Sequence, residues 1–235
     1  MPSPVADLPD PAPTVPSSPD PQPELDELGF VRYYGPWSPL HPTALLRLFD
    51  GAPFSWWVVG GWSLEADPRT PRRRHEDIDV AVRSDQADEV RAWLRDFHLW
   101  RTDTGGLRPL LPGDPTPEGL EQMWVRRDAW SPWLMDLLVS PVNGSDWVYK
   151  RDHRVRLPLA DMVRRGPDGV PYQAPQVGLL FKAKLGRDKD EGDLSDCWPR
   201  LDDDARRWLR EALELTSPGH PWSALLTGHA GGAGP

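Results

Sequence analysis

Two glycines at the end of a short apolar strand restrict the fold of this 235-residue chain more than any other feature. Residues 56–59 are rich in side chains that favour strands, and Gly60 and Gly61 follow them directly. We expect a short helix at residues 62–66 and, after an arginine-rich loop, a second strand at residues 77–82. A helix that starts at glycines offers backbone N–H groups with no Cβ atoms in front of them, which suits phosphate oxygens.

Two aspartates on the second strand indicate what else this turn binds. Asp77 and Asp79 are two residues apart, so in a strand their side chains project to the same side. Neighbouring carboxylates raise each other's pKa unless a cation lies between them, and Mg²⁺ prefers such oxygen ligands. A third carboxylate, Asp136, lies in the apolar run of residues 133–139, where a charge is costly unless it is paired or binds a metal. We expect it to deprotonate an acceptor hydroxyl, to share the metal, or to do both.

The remaining patterns divide the chain into a mixed αβ half and a helical half. Helices are expected at residues 42–50 and 84–97, and further strands near residues 98–103, 123–127, 133–139 and 154–157. After residue 159, helical patterns cover residues 177–185, 191–198 and 203–215, and a last segment at residues 221–226 precedes a Gly/Ala tail. The predicted organisation is a proline-rich tail at 1–27, a first domain at 28–158, a helical domain at 159–226 and a flexible tail at 227–235.

The composition of the chain limits the cellular compartments and the binding partners that we expect for it. Nine of the 29 prolines lie in the first 25 residues, which have few large apolar side chains and are predicted to be disordered. The net charge of −9 argues against general nucleic-acid binding and fits a cationic small molecule or a metal-bound anion. The single cysteine, Cys197, excludes an internal disulfide and a zinc site of several cysteines. No membrane-spanning run or signal peptide pattern is present, so a cytoplasmic protein without membrane contact is expected.

This ordered set of residues resembles the DNA polymerase β-type nucleotidyltransferases. The residues that carry the resemblance are Gly60, Gly61, Trp62, Arg73, His75, Asp77, Asp79 and the later strand aspartate Asp136. Within that superfamily the sequence is most similar to the aminoglycoside nucleotidyltransferases, particularly the branch that adenylylates the 2″-hydroxyl, and to their uncharacterised relatives. The likeness continues through residues 171–175, 179–184 and 187–193, and covers roughly residues 30 to 222.

The resemblance implies an α+β nucleotidyltransferase fold, with a small mixed β-sheet flanked by helices and a helical C-terminal domain after it. It also implies a phosphoryl transfer that uses two Mg²⁺ ions and ATP. The implied catalytic residues and metal ligands are Asp77, Asp79 and Asp136. The implied nucleotide-binding residues are Gly60, Gly61, Trp62, Arg73, His75, Lys182 and Lys189.

The function expected from this resemblance is transfer of AMP from ATP to a hydroxyl of a small molecule. The favoured acceptor is a cationic antibiotic of the aminoglycoside type, which the transfer inactivates. Two alternatives stay open: nucleotidylation of a tRNA or a protein, and a degenerate module that binds a nucleotide without catalysis. Structural roles also stay open for single residues: loop ordering for His75, core filling for Trp62, and an ion-paired helix face for Lys182, Lys189 and Asp193.

Overall fold

The computed structural model describes residues 27–103 and 106–228, which fall into two compact units. The first unit ends at Tyr34 and contains helix α1 (Glu27–Tyr34), in which the rings of Phe30 and Tyr34 lie 5.2 Å apart. The second unit begins at Gly35 and contains every other element. Of the two predicted tails, residues 1–26 and 229–235 lie outside the described residues, so their disorder stays a prediction.

The second unit alternates short strands with helices. Its strands are β1 (Trp56–Val58), β2 (Asp79–Arg83), β3 (His98–Asp103), β4 (Gly106–Leu110), β5 (Gln122–Arg126), β6 (Trp133–Ser140), β7 (Val142–Asn143), β8 (Asp146–Val148), β9 (Arg156–Pro158), β10 (Val163–Arg165) and β11 (Pro171–Gln173). Its helices are α2 (Pro42–Leu48), α3 (Ala87–Trp93), α4 (Leu159–Met162), α5 (Pro175–Ala183), α6 (Asp188–Cys197), α7 (Asp203–Thr216) and α8 (Pro221–Gly228). Single 3₁₀ turns lie at Trp62–Leu64, Ser84–Gln86 and Trp198–Arg200.

A mixed eight-stranded sheet forms the frame of this unit, in the order β10-β11-β1-β2-β6-β5-β3-β4. The pairs β1–β11 and β2–β6 are parallel, and the other pairs are antiparallel. A smaller antiparallel sheet has the order β7-β8-β9. The predicted α+β class, a mixed sheet flanked by helices, is therefore confirmed.

Both faces of the central strands are buried, because alternate side chains of a strand point to opposite sides. Trp57 of β1 and Ala81 of β2 pack in one core with residues of α5 and α7. Val58 and Val80, their immediate neighbours, pack in a second core with residues of α2 and α3. Double burial explains why β6 is almost entirely apolar, and it makes Asp136 the exception within that strand.

The structure corrects several boundaries near the glycine turn. The second strand begins at Asp79 instead of residue 77, because Gly60 has a φ of +65° and turns the partner strand away after Val58. Asp77 therefore lies in the preceding loop, and the expectation that Asp77 and Asp79 share one strand is wrong. The helix expected at residues 62–66 is a single 3₁₀ turn, since Glu65 already has extended backbone.

The regions that were expected to lack strands contain several short ones. The proline- and glycine-rich insertion after residue 105 contains β4, which pairs with β3. Beyond residue 159, β10 and β11 extend the main sheet through the pairing of β11 with β1. The three helical patterns of this region are confirmed as α5 to α7, with Gly186 (φ +59°) in the break between α5 and α6, and the last segment is helical as α8. None of the described helices is long and apolar enough to cross a membrane.

Candidate active site

A cavity of about 570 Å³ lies where the turn after β1 and the strands β2 and β6 face the helices α5 and α6. The predicted site residues that line it are Gly60, Gly61, Arg73, Asp77, Asp79, Asp136, Lys182 and Lys189. Trp62 and His75, the other two predicted residues, do not line it. The structure thus brings eight of the ten predicted residues to one cavity, although they lie as far apart in sequence as residues 60 and 189.

Two carboxylates lie side by side at the centre of the sheet. Asp79 begins β2, Asp136 lies in β6, and the two are direct partners in the parallel pairing of these strands. Asp136 is buried, and its Oδ1 accepts no hydrogen bond from the described residues. Its Oδ2 accepts a hydrogen bond from Nε2 of Gln122.

Burial and neighbouring negative charge raise the pKa values of both carboxyl groups. Desolvation and, next, the charge of Asp77 raise the pKa of Asp79 to about 7, although Lys182 and Lys189 oppose the shift. Desolvation and, next, the charge of Asp79 raise the pKa of Asp136 well above its usual range. Two adjacent carboxylates in this state are stabilised as anions by a cation between them.

The donor set fits Mg²⁺. Asp79 and Asp136 offer the hard oxygen ligands that this ion prefers, and Oδ1 of Asp136 is a buried acceptor without a donor. Asp77 is exposed at the edge of the cavity, and its backbone oxygen accepts a hydrogen bond from Nε1 of Trp62 (3.3 Å). Among the described residues no three His, Cys, Asp or Glu side chains form a complete metal cluster. Mg²⁺ usually binds through one or two carboxylates together with the phosphates of a substrate, which this partial set matches.

The glycine turn leaves no room for side chains. A Cβ atom at Gly60 would overlap Oδ2 of Asp79, and the positive φ of Gly60 is itself unfavourable for other residues. A Cβ atom at Gly61 would overlap Nη2 of Arg73 and lie 2.8 Å from Nδ1 of His75. The two glycines therefore let the backbone approach the carboxylates on one side and the arginine loop on the other.

Trp62 and His75 form a support behind this turn. Their rings stack with centroids 4.3 Å apart, and Nε2 of His75 lies 2.7 Å from Oε1 of Glu65. Desolvation lowers the pKa of His75, and the hydrogen bond with Glu65 opposes that shift. Neither side chain lines the cavity, and the ring stack and the contact with Glu65 are of the kind that a structural role in the turn and the loop requires.

Glu65 is a residue that the sequence analysis missed. It is buried, and its two carboxylate oxygens bind Nε2 of His75 and the backbone N–H of Arg72 (2.9 Å). These contacts hold the arginine-rich loop against the 3₁₀ turn at Arg72 and at His75. No local pattern marks this glutamate, because its partners lie close to it only after the loop has folded back.

The cations of the site are held by acidic residues of α6. Nζ of Lys182 lies 3.1 Å from Asp190 and 2.8 Å from Asp193, and Nη2 of Arg73 lies 3.7 Å from Asp193. The ion-paired helix face that the sequence left open therefore includes Lys182 and Asp193. Lys189 is exposed in the first turn of α6 and lines the cavity.

Part of the sequence around this site is similar to a known protein family. Residues 43–109 match the family model described as aminoglycoside-2″-adenylyltransferase. The chain is related to the aminoglycoside nucleotidyltransferases. The matched segment contains β1, the glycine turn, the arginine-rich loop and both Asp77 and Asp79, and it ends before Asp136. The predicted relation is thereby confirmed, and with it the predicted enzyme class, a nucleotidyltransferase.

Several solved structures are similar at low sequence identity. The lincosamide antibiotic adenylyltransferase LnuA in its lincomycin-bound form has 15% identity and a TM-score of 0.48, over 71% of this chain and 99% of that one. The antibiotic-resistance factor ANT(2″)-Ia has 14% identity and a TM-score of 0.48, over 80% of this chain and 94% of that one. An antigenic nucleotidyltransferase-like protein from Paracoccidioides brasiliensis has 18% identity and a TM-score of 0.40, over 79% and 89%. No curated protein sequence matches the chain.

Proposed function

We propose that the protein transfers AMP from ATP to a hydroxyl of a small molecule, and that the acceptor is an antibiotic of the aminoglycoside type. The observation that carries this proposal is the pairing of Asp79 and Asp136 on adjacent parallel strands, beside the glycine turn. The half-buried carboxylate of Asp79 and the buried carboxylate of Asp136, beside a turn of two glycines, suit a metal-bound triphosphate. A purely structural role does not account for this arrangement, since burial and the charges of Asp77 and Asp79 make these two carboxyl groups harder to ionise.

On the nucleotide side, the residues that would hold Mg²⁺ are Asp79 and Asp136, with Asp77 at the exposed edge. When bound, Mg²⁺ supplies positive charge that stabilises the charge developing on the phosphate oxygens. Gly60 and Gly61 line the same cavity, and their backbone, which carries no Cβ atoms, lies close to Asp79 and Arg73. The side chains of Arg73, Lys182 and Lys189 line the same cavity and neutralise phosphate charge.

On the acceptor side, Oδ1 of Asp136 is suited to take a proton. It is buried and accepts no hydrogen bond from the described residues, so it can receive the proton of the acceptor hydroxyl. The acceptor O–H bond breaks as its proton passes to Asp136, and the freed oxygen forms a bond to the α-phosphorus. The bond between that phosphorus and pyrophosphate breaks, and pyrophosphate leaves with the electron pair.

The remaining charged residues at the cavity are of both signs, since Arg74, Lys150 and Arg187 line it together with Glu76 and Glu121. A cationic acceptor is therefore supported mainly by the charge of the whole chain. Glu76 and Glu121 are exposed at the cavity and are not needed for the metal, although Glu121 also pairs with Lys150 (3.0 Å). The net charge of −9 draws cations toward the protein and repels a polyanion such as tRNA. The relation to aminoglycoside nucleotidyltransferases favours the same class of acceptor.

The test is pyrophosphate release by the purified protein with Mg²⁺ and ATP, with and without aminoglycosides, lincosamides or tRNA. We expect release that depends on an aminoglycoside, and a loss of at least about 100-fold in the Asp79→Asn variant, since a metal ligand charge is removed without a change in volume. Asp96→Asn, at an exposed aspartate remote from the cavity, is the matched control. Release with a lincosamide or tRNA alone would reassign the acceptor, and full activity in Asp79→Asn would refute the metal site.

A further inference from the structure

We propose that Gln122 is a positioning residue, which holds one oxygen of Asp136 so that the other stays free for the metal or the acceptor proton. No sequence pattern pointed to this glutamine. It lies in β5, beyond residues 43–109, the segment that matches the family model. The inference rests on the proposed function, because it assigns a purpose to the unpartnered oxygen of Asp136.

The register of the sheet brings the two side chains together. Strands β5 and β6 are antiparallel, and Gln122 is the direct partner of Leu138, two residues from Asp136. Diagonal positions of this kind lie on one face of the sheet, within reach of a long side chain. Both Gln122 and Asp136 line the cavity, and Nε2 of Gln122 donates a hydrogen bond to Oδ2 of Asp136.

A second contact fixes the orientation of the glutamine amide. The hydroxyl of Thr102 in β3 donates a hydrogen bond to Oε1 of Gln122 (3.2 Å). A carboxylate only accepts hydrogen bonds, so the amide nitrogen must face Asp136 and the amide oxygen must face Thr102. The reverse orientation would set the amide oxygen against the carboxylate and leave the Thr102 hydroxyl without this acceptor. The two hydrogen bonds that link Thr102, Gln122 and Asp136 therefore have a single favourable donor–acceptor direction.

As a consequence, the two carboxylate oxygens of Asp136 have different roles. Oδ2 is occupied by Gln122, whereas Oδ1 is buried and has no donor among the described residues. Gln122 is not the only donor beside this carboxylate, because the side chain of Trp124, the direct cross-strand partner of Asp136, also lowers its pKa. Without Gln122, Oδ2 would lose its hydrogen bond and the carboxylate would rotate more freely. Hydrogen-bond partners behind a metal ligand commonly contribute 10- to 100-fold to metal affinity or activity, so about that range is expected here.

The experiment measures Mn²⁺ affinity by electron paramagnetic resonance, with a non-reacting α,β-methylene analogue of ATP bound, alongside kcat and KM for ATP. We expect Gln122→Leu to weaken Mn²⁺ binding and to lower kcat by about 10- to 100-fold, with a smaller change in KM. Thr102→Val is expected to act in the same direction but less. Gln86→Leu and Thr116→Val make the same chemical changes outside the cavity and are expected to match wild type.

The double variant, Gln122→Leu with Thr102→Val, distinguishes an effect of Thr102 that passes through Gln122 from two independent structural effects. If Thr102 acts only through Gln122, Thr102→Val has no further effect once Gln122 is replaced by Leu, whereas independent effects would multiply. Wild-type Mn²⁺ affinity and kcat in both single variants would overturn the inference, as would multiplying effects in the double variant. An inactive Asp136→Asn variant alongside such results would leave the proposed function standing. An Asp136→Asn variant with full activity and Mn²⁺ affinity would overturn both.

Discussion

Asp79 is expected to lower the stability of the metal-free protein. Its pKa is about 7 in the folded chain, mainly through desolvation and the charge of Asp77, whereas an aspartate in an unfolded chain has a pKa of about 3.9. Between these values the folded state holds a proton that the unfolded state has released. Stability therefore falls as the pH rises through this window, and the full penalty is present above it. A bound cation would relieve this penalty.

We predict that Asp79→Asn stabilises the protein in metal-free buffer while it removes activity. An amide has no charge to bury, so the free energy of unfolding at pH 8 is expected to rise by up to about 4 kcal/mol, and the gain is expected to vanish near pH 4. The measurement is urea unfolding in EDTA across this pH range. Asp96→Asn, at an exposed residue, controls for the loss of one negative charge. Equal stability of wild type and Asp79→Asn at pH 8 would show that Asp79 is not under this strain.

At the scale of single residues, the sequence predicted the groups that have intrinsic chemistry. Asp136 stood out because a charge is rare in an apolar strand, and Gly60 stood out because glycines follow a strand. Glu65 and Gln122 escaped notice because each acts on a partner that only folding brings near. Trp62 and His75 were assigned to the nucleotide, but the cavity does not include them, since the turn of residues 60 and 61 stands between. Spacing along the chain does not tell which side of a turn a side chain occupies.

The junction of α5 and α6 depends on one buried aspartate. Asp190 is fully buried, and its carboxylate receives hydrogen bonds from Nζ of Lys182 (3.1 Å), from Nε of Arg187 (2.9 Å) and from the backbone N–H of Arg187 (3.2 Å). The last contact also satisfies a backbone donor at the start of α6. Desolvation alone would raise the pKa of Asp190, but the bonds from Arg187 and Lys182 outweigh it and lower the pKa. The aspartate thus joins the end of one helix to the start of the next.

We predict that Asp190→Ala lowers the free energy of unfolding by about 1–3 kcal/mol at pH 7, since it removes the acceptor of hydrogen bonds from buried Lys182 and from Arg187, whereas Asp193 stays beside Lys182. Because the folded pKa is lowered, this contribution is present above the unfolded carboxyl pKa of about 3.9 and is lost as the pH falls through the folded value. Urea unfolding at pH 7 and in mild acid measures the difference. Asp188→Ala, at an exposed residue of the same helix turn, is expected to cost under about 1 kcal/mol. A loss for Asp190→Ala that stays constant with pH would contradict the ion-pair explanation.

At the scale of elements, long hydrophobic patterns predicted the positions of helices well, whereas very short strands could not be predicted from their own sequence. The amphipathic pattern of α7 gave its start at residue 203, where Asp202 accepts a hydrogen bond from the backbone of Ala205 (2.8 Å). The strands β7, β8, β10 and β11 have two or three residues each, too few for a period to show. Such strands are stabilised by their neighbours in the sheet instead of by their own sequence. Their positions follow from the fold and not from local preference.

The order of the strands is a property of the whole molecule that the sequence did not disclose. β1 lies between β2 and β11, and its parallel partner Tyr172 is over a hundred residues from Val58. This pairing carries the chain from the sheet directly into α5, and so brings Lys182 to the carboxylates of β2 and β6. Local patterns predict elements but not their partners. The assembled cavity was therefore expected only through the resemblance to a family.

A site assembled from distant segments should report ligand binding as stability of the whole fold. The cavity joins the glycine turn, β2, β6, α5 and α6, so a ligand that binds it favours the folded chain over the unfolded chain. At a concentration of about 100 times Kd, a ligand adds about 2.7 kcal/mol, which corresponds to a Tm increase of roughly 5–10 °C for a chain of this size.

We predict this increase for Mg²⁺ together with a non-reacting ATP analogue, and a clearly smaller one for either ligand alone, because the metal and the triphosphate screen each other's charge beside Asp79 and Asp136. EDTA is expected to reverse the increase, and Asp136→Asn is expected to lose most of it, whereas Asp96→Asn keeps it. The measurement is thermal unfolding followed by circular dichroism. An equal increase with the nucleotide analogue in EDTA would mean that the nucleotide binds through cations such as Arg73 and Lys189 without metal at the carboxylates, and the two-carboxylate site would then have to be given up.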